Sequence, residues 1–165
     1  MPGISSIKQF IVRLREIETG LSNGSYIREE LEPKRELINA EQREQLMEGK
    51  ASDGNDIRPY YTEDPFFKTK EDALRYAAYK QKITPNSKRK RDAPNLYING
   101  KFHSELEVQF RKEDMVIDGI TPYAKGIVRE YGLSTFGLTE GRRKVLFASL
   151  GSSVLKRIKK KLYAK

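Results

Sequence analysis

A chain of 165 residues, 37% hydrophobic and 33% charged, suits one modest core, with polar surface to spare for flexible arms or for neighbours in an assembly. The absence of cysteine excludes disulfides, thiolate metal sites and cysteine nucleophiles, and the single histidine, His103, leaves little for zinc or for imidazole base chemistry and reads as a surface or loop side chain. The net charge of +9 is segregated: residues 1–67 carry −4, 68–91 carry +7, 92–140 carry −3 and 141–165 carry +9, a division that suggests oriented contact with a polyanion or an acidic partner surface.

From the start of the chain, Ser5 or Ser6 is placed to cap a helix whose Ile7, Phe10 or Ile11, Leu14 and Ile17 fall at three and four residue spacing, ending near Gly20. Lys8, Arg13, Arg15 and Glu16 interrupt its apolar residues, so it is no signal peptide, and no apolar run reaches membrane-spanning length. After a turn at Ser22-Asn23-Gly24-Ser25, a helix is expected from Pro33 to Glu48. With Glu41, Gln42, Arg43 and Glu44 at its centre, it is expected at the surface or at a subunit boundary.

Residues 49–61 read as a loop turning at Asp53-Gly54. Its acids lack the alternation and closing glutamate of a calcium loop, and Asp53, Asp56, Glu63 and Asp64 read as turn residues; no metal site and no cofactor are expected. Thr69, with Asp72 three residues on, opens a helix over 69–83 that carries Leu74, Ala77, Ala78 and Ile83, with Tyr76 and Tyr79 among its basic residues. A basic loop, 84–94, follows between two prolines. Its Lys88, Arg89, Lys90 and Arg91 repel one another and must be solvated or paired, either as a flexible solvated loop or against phosphate or an acidic partner. The same four letters match a nuclear localisation signal, a pattern that chance supplies readily.

Residues 105–120 carry the strand signal: Leu106, Val108 and Phe110 alternate with polar residues, and Met115, Ile117 and Gly119 mirror them across a Lys112-Glu113-Asp114 turn. A hairpin with one buried face is expected. Thr121 and Pro122 start a helix running to Gly132, against which the hairpin can pack. Thr139 opens a terminal helix of about 24 residues, about 36 Å long, with Leu146, Leu150, Val154, Ile158 and Leu162 every fourth residue and Val145 and Leu155 widening the stripe. Lys156, Arg157, Lys159, Lys160 and Lys161 form its cationic end. They complement the helix dipole and equally suit contact with DNA or a partner, whereas a membrane surface is disfavoured by a narrow apolar side without tryptophan. The fold class is therefore α+β: a helical part over 1–83, the basic loop 84–94, and a hairpin with helices over 95–165, in one domain.

The segment from Asn95 to Leu146 resembles the virion-morphogenesis or tail-completion proteins of tailed bacteriophages. The pattern is carried by Leu96 and Gly100, then Phe102 and Ser104, the hairpin, Tyr123-Ala124 opening a helix, Gly132 closing it, and Phe136-Gly137-Leu138-Thr139-Glu140 before the last helix. The chain has Asn99-Gly100 where family members commonly have Thr-Gly. The resemblance implies a non-enzymatic structural protein of the virion, part of a neck, head-tail connector or tail-completion ring around the DNA passage. Its implied partners are copies of itself, portal or adaptor and tail proteins, and packaged DNA, with no membrane. A basic nucleic-acid-binding protein is the competing reading, resting on the two cationic blocks and their interleaved tyrosines. With one histidine, no cysteine, no phosphate-binding glycine loop and no spaced carboxylate pair, no enzymatic mechanism is expected.

Overall fold

The computed structural model describes residues 7–111, 114–122 and 124–163. It is an α+β arrangement in chain order: α1 (Ile7–Ser22), α2 (Ser25–Leu31), a 3-10 turn at Glu32–Lys34, α3 (Arg35–Met47), α4 (Lys70–Ile83), the single turn α5 (Lys101–Ser104), β1 (Leu106–Phe110), β2 (Met115–Gly119), α6 (Ala124–Tyr131) and α7 (Glu140–Leu162). The expected Ser5 or Ser6 cap, the Lys112-Glu113 part of the hairpin turn and Tyr123 lie outside the described residues.

β1 and β2 form the expected antiparallel hairpin, with Leu106 opposite Gly119, Val108 opposite Ile117 and Phe110 opposite Met115. Alternation places these six on one face. Leu106, Val108 and Ile117 are buried, while Phe110 and Met115 pack from the edge. The principal helix against this face is α3 rather than the expected α6. Val108 and Ile117 join Leu31, Ile38, Leu138, Leu146 and Leu150 in one apolar cluster, and Leu106 joins Leu46, Ala51, Ile57 and Phe102 in a second. α6 meets the second cluster through Ile127 and Tyr131.

α3 overturns the expectation of a surface helix. Ile38, Gln42, Gln45 and Leu46 are fully buried and Asn39 nearly so. The reason is backbone satisfaction. Gln42 donates to the Thr135 carbonyl at 3.1 Å, Gln45 donates to the Gly137 carbonyl at 2.9 Å, and the Gln45 amide oxygen accepts from the Thr139 N–H at 2.7 Å. The irregular segment before α7 has no ladder of its own, so the two glutamines supply its partners inside the core. Thr139 accordingly stands at the amino-terminal cap of α7 without making a side-chain capping bond. Arg35 and Arg43 extend the same role to the hairpin side, donating to the carbonyls of Val108 and His103 at 2.7 Å each.

The α4 cap is as expected: Thr69 Oγ1 accepts from the Asp72 N–H at 3.1 Å and donates to the Asp72 carboxylate at 2.7 Å. α7 is unbroken through Gly151-Ser152-Ser153, and its Leu146 and Leu150 are buried. Its later half lies along α1 and α2 instead of projecting alone.

Candidate functional site

The two cationic segments are the candidate site, and the structure treats their members differently. Of the four cations in the 84–94 loop, only Arg91 is exposed with no hydrogen bond or ion pair among the described residues. Lys88 bridges to Glu48 at 2.8 Å and to Glu44 at 3.6 Å. Lys90 lies 4.1 Å from the centroid of the Tyr60 ring and donates to its hydroxyl at 3.0 Å. Arg89 is 5% exposed, turned inward to donate to the carbonyls of Lys80 and Thr84, the Thr84 hydroxyl and the Gln81 amide oxygen. It closes the end of α4 and cannot reach an external anion in this fold. The loop is therefore neither wholly solvated nor a four-cation patch.

On α7, Arg157 pairs with Glu29 and Glu30 and lies 5.0 Å from the Tyr26 ring centroid, and Lys161 reaches Glu16 at 2.9 Å. Arg13 of α1 donates to the Leu162 carbonyl at 3.2 Å, satisfying one of the carbonyls left free at the helix end. Lys156, Lys159 and Lys160 are exposed, without an ion-pair partner among the described residues. The acidic amino-terminal helices thus neutralise the inner half of the cationic end and leave the outer half to solvent.

The two segments do not merge into one surface. Glu48 receives both Lys88 and Arg142, the latter at 3.2 Å, which places the basic loop beside the first turn of α7. Lys156 is 14 residues further along that helix, about 21 Å at 1.5 Å per residue. Arg142 also contacts Glu41 and Glu44. Burial opposes its charge, yet the carboxylates hold its pKa above the ordinary value.

The described residues between Leu96 and Leu138 that carry the resemblance sit in turns and packing contacts. Leu96 adopts a positive φ of 53° and packs on the second cluster. Gly100, at φ 81°, reverses the chain into α5, a helical turn absent from the expected elements. Phe102 is buried and meets Phe136 edge-on at 6.0 Å, and Ser104 Oγ donates to the Lys101 carbonyl at 2.9 Å. Ala124 is buried against Gly119. Gly132 and Gly137 take φ of 83° and 101°, and Leu138 enters the first cluster.

Besides Arg89, two more titratable groups, His103 and Lys80, lie inside against expectation. His103 is buried rather than exposed, its Nε2–H donating to the Asn95 carbonyl at 2.8 Å. Burial lowers its pKa, against the raising effect of that hydrogen bond. Lys80 is 3% exposed. Ala73, Ala77 and Lys80 follow one another at steps of four and three residues, so Lys80 continues the buried stripe of α4, and that spacing is the signal that could have found it. No group of three or more His, Asp or Glu placed to hold a metal ion occurs among the described residues, and no described helix is long and apolar enough to cross a membrane. Comparison with known proteins gives no match: no family model, no curated protein and no solved structure is similar to the chain.

Proposed function

We propose that the chain is a non-catalytic structural subunit of a tailed-phage virion, in the head-tail connector, neck or tail-completion ring around the DNA passage. Its contacts would be with further copies of itself, with portal or adaptor and tail proteins, and with packaged DNA. The observation that carries the assembly part of this reading is the apolar surface left uncovered along two neighbouring helices. On α1, Ile7, Ile11, Val12 and Leu14 are exposed, and on α7, Val145, Phe147 and Leu155 are exposed. Ile7, Ile11 and Leu14 fall at helical spacing on one side of α1, an exposed apolar stripe of the kind that marks contact surfaces, and a subunit that closes a ring does so through two different faces. The phage assignment rests on the family-like pattern from Leu96 to Thr139.

Native mass spectrometry with sedimentation velocity tests the reading. A closed oligomer of defined copy number is expected, and a monomer at every concentration, alone and with purified connector proteins, overturns it.

Lys156, Lys159 and Lys160 support the second reading, nucleic-acid binding. If they contact phosphates, replacing all three with glutamine reduces the slope of log affinity for duplex DNA against log salt by about 2.7. An unchanged slope in a filter-binding or anisotropy titration removes these lysines from any DNA contact.

A further inference from the structure

A cavity of about 470 Å³ opens between α4, α6 and the 94–102 segment, walled by Tyr61, Tyr76, Tyr97, Phe102, Ile127 and Tyr131. Its volume falls within the range of small-molecule sites, and its mainly apolar wall with a few polar groups is the usual composition of such sites. Lys80 lines it as well, almost wholly buried. The Lys80 ammonium donates to the Tyr97 carbonyl oxygen and lies 5.9 Å from the Tyr97 ring centroid. An ammonium has three N–H donors, and this bond uses one.

The charge around Lys80 is unbalanced. The buried cation next to it is Arg89, whose partners are carbonyl, hydroxyl and amide oxygens and whose Nε has no partner. Neither Lys80 nor Arg89 has an ion pair among the described residues. Two neighbouring buried cations without a carboxylate are costly, because desolvation is not repaid by an opposite charge. Glu130, the carboxylate lining the cavity, interacts with the Tyr131 hydroxyl. Lys101, also lining it, is paired with Glu105 at 3.9 Å, which leaves Lys80 as the lining cation without a carboxylate partner among the described residues.

From this juxtaposition we infer that the cavity is a binding site for an aromatic carboxylate, its ring held among the tyrosines and its carboxylate bonded to Lys80. Burial raises the pKa of the Tyr61 and Tyr131 hydroxyls, so both remain neutral. Burial, with Arg89 adding to it, lowers the Lys80 pKa to about 8. An arriving carboxylate relieves that strain on the charged form. Affinity for the acid is therefore highest while the empty site keeps Lys80 protonated and falls as pH rises through about 8. The buried His103 is neutral across that window, its pKa lying below 6.5, and leaves the profile to Lys80.

The same chemistry is presented by a free aromatic acid and by a peptide ending in an aromatic residue. Isothermal titration of the full chain with naphthylacetate, naphthylacetamide, and a capped dipeptide ending in tryptophan as free acid and as amide tests the site and separates these sources. Each acid is expected to bind about tenfold or more tightly than its amide. Tighter binding of the peptide acid assigns the site to a chain terminus, and tighter binding of naphthylacetate assigns it to free acids. Lys80→Met should abolish the preference for the acid. Ile127→Trp, which fills the cavity and leaves the charge, should abolish binding of both forms. If Lys80→Met fails to fold, the acid-to-amide ratio and its pH profile on the unaltered chain decide alone. Equal affinity for acid and amide, a ratio that does not change through pH 8, or no binding of any of the four overturns the inference.

Discussion

Arg89 and His103 show how a side chain's neighbours redefine it. Arg89 belongs by sequence to a run of four cations, yet its guanidinium satisfies the carbonyls at the end of α4. Arg89→Met should destabilise the fold by about 2 to 4 kcal/mol, because several buried acceptors lose their donor together; denaturant unfolding measures it. The exposed Arg91→Met is expected to stay within about 0.5 kcal/mol in the same experiment. His103 supplies a pH signature. Its folded pKa lies below the ordinary 6.5 because the ring is buried, so between these two values the unfolded chain holds a proton that the folded chain does not. Stability therefore rises with pH through that window, is fully present above 6.5 and is lost on acidification below it. Unfolding free energies between about pH 5 and 7 should show this slope in the natural chain, and His103→Gln should flatten it.

At the scale of elements, α3 carries the sharpest contrast between composition and position. Its core-facing residues are two apolar side chains, two glutamines and an asparagine, and its Leu37 points outward, 52% exposed. Leu46→Ala should cost about 2 to 5 kcal/mol in chemical denaturation, whereas Leu37→Ala should cost less than about 0.5. Equal costs would mean that α3 is not the buried helix described. The hairpin was readable because a period of two with matched apolar positions on both strands admits one register with a buried face. The role of α3 was not, because burying glutamine is favourable only when particular carbonyls wait for it. Those carbonyls, of Thr135 and Gly137, lie 93 and 92 residues away in the chain from Gln42 and Gln45.

For the whole molecule, the acidic amino-terminal helices meet the basic end of α7, so the charge segregation along the chain is partly an internal complementarity. Glu16, Glu29 and Glu30 take up Lys161 and Arg157, and the apolar edges of α1 and α7 stay uncovered. Ile11→Ser with Leu14→Ser should lower monomer stability by less than about 1 kcal/mol per site and abolish self-association in sedimentation velocity. Assembly unaffected by the pair would place the subunit contact elsewhere. The sequence by itself determined the α+β class, the hairpin register, the Thr69 cap and the every-fourth-residue stripe of α7 from Leu146, though not its widening, since Val145 and Leu155 are exposed; each follows from local periodicity and short-range hydrogen bonding. Only the tertiary structure decided which charges are free. The partners of Arg89, Lys80, Arg142 and Arg157 depend on where other elements bring carbonyls and carboxylates, and the cost of burying a charge depends on that surrounding rather than on the residue's type.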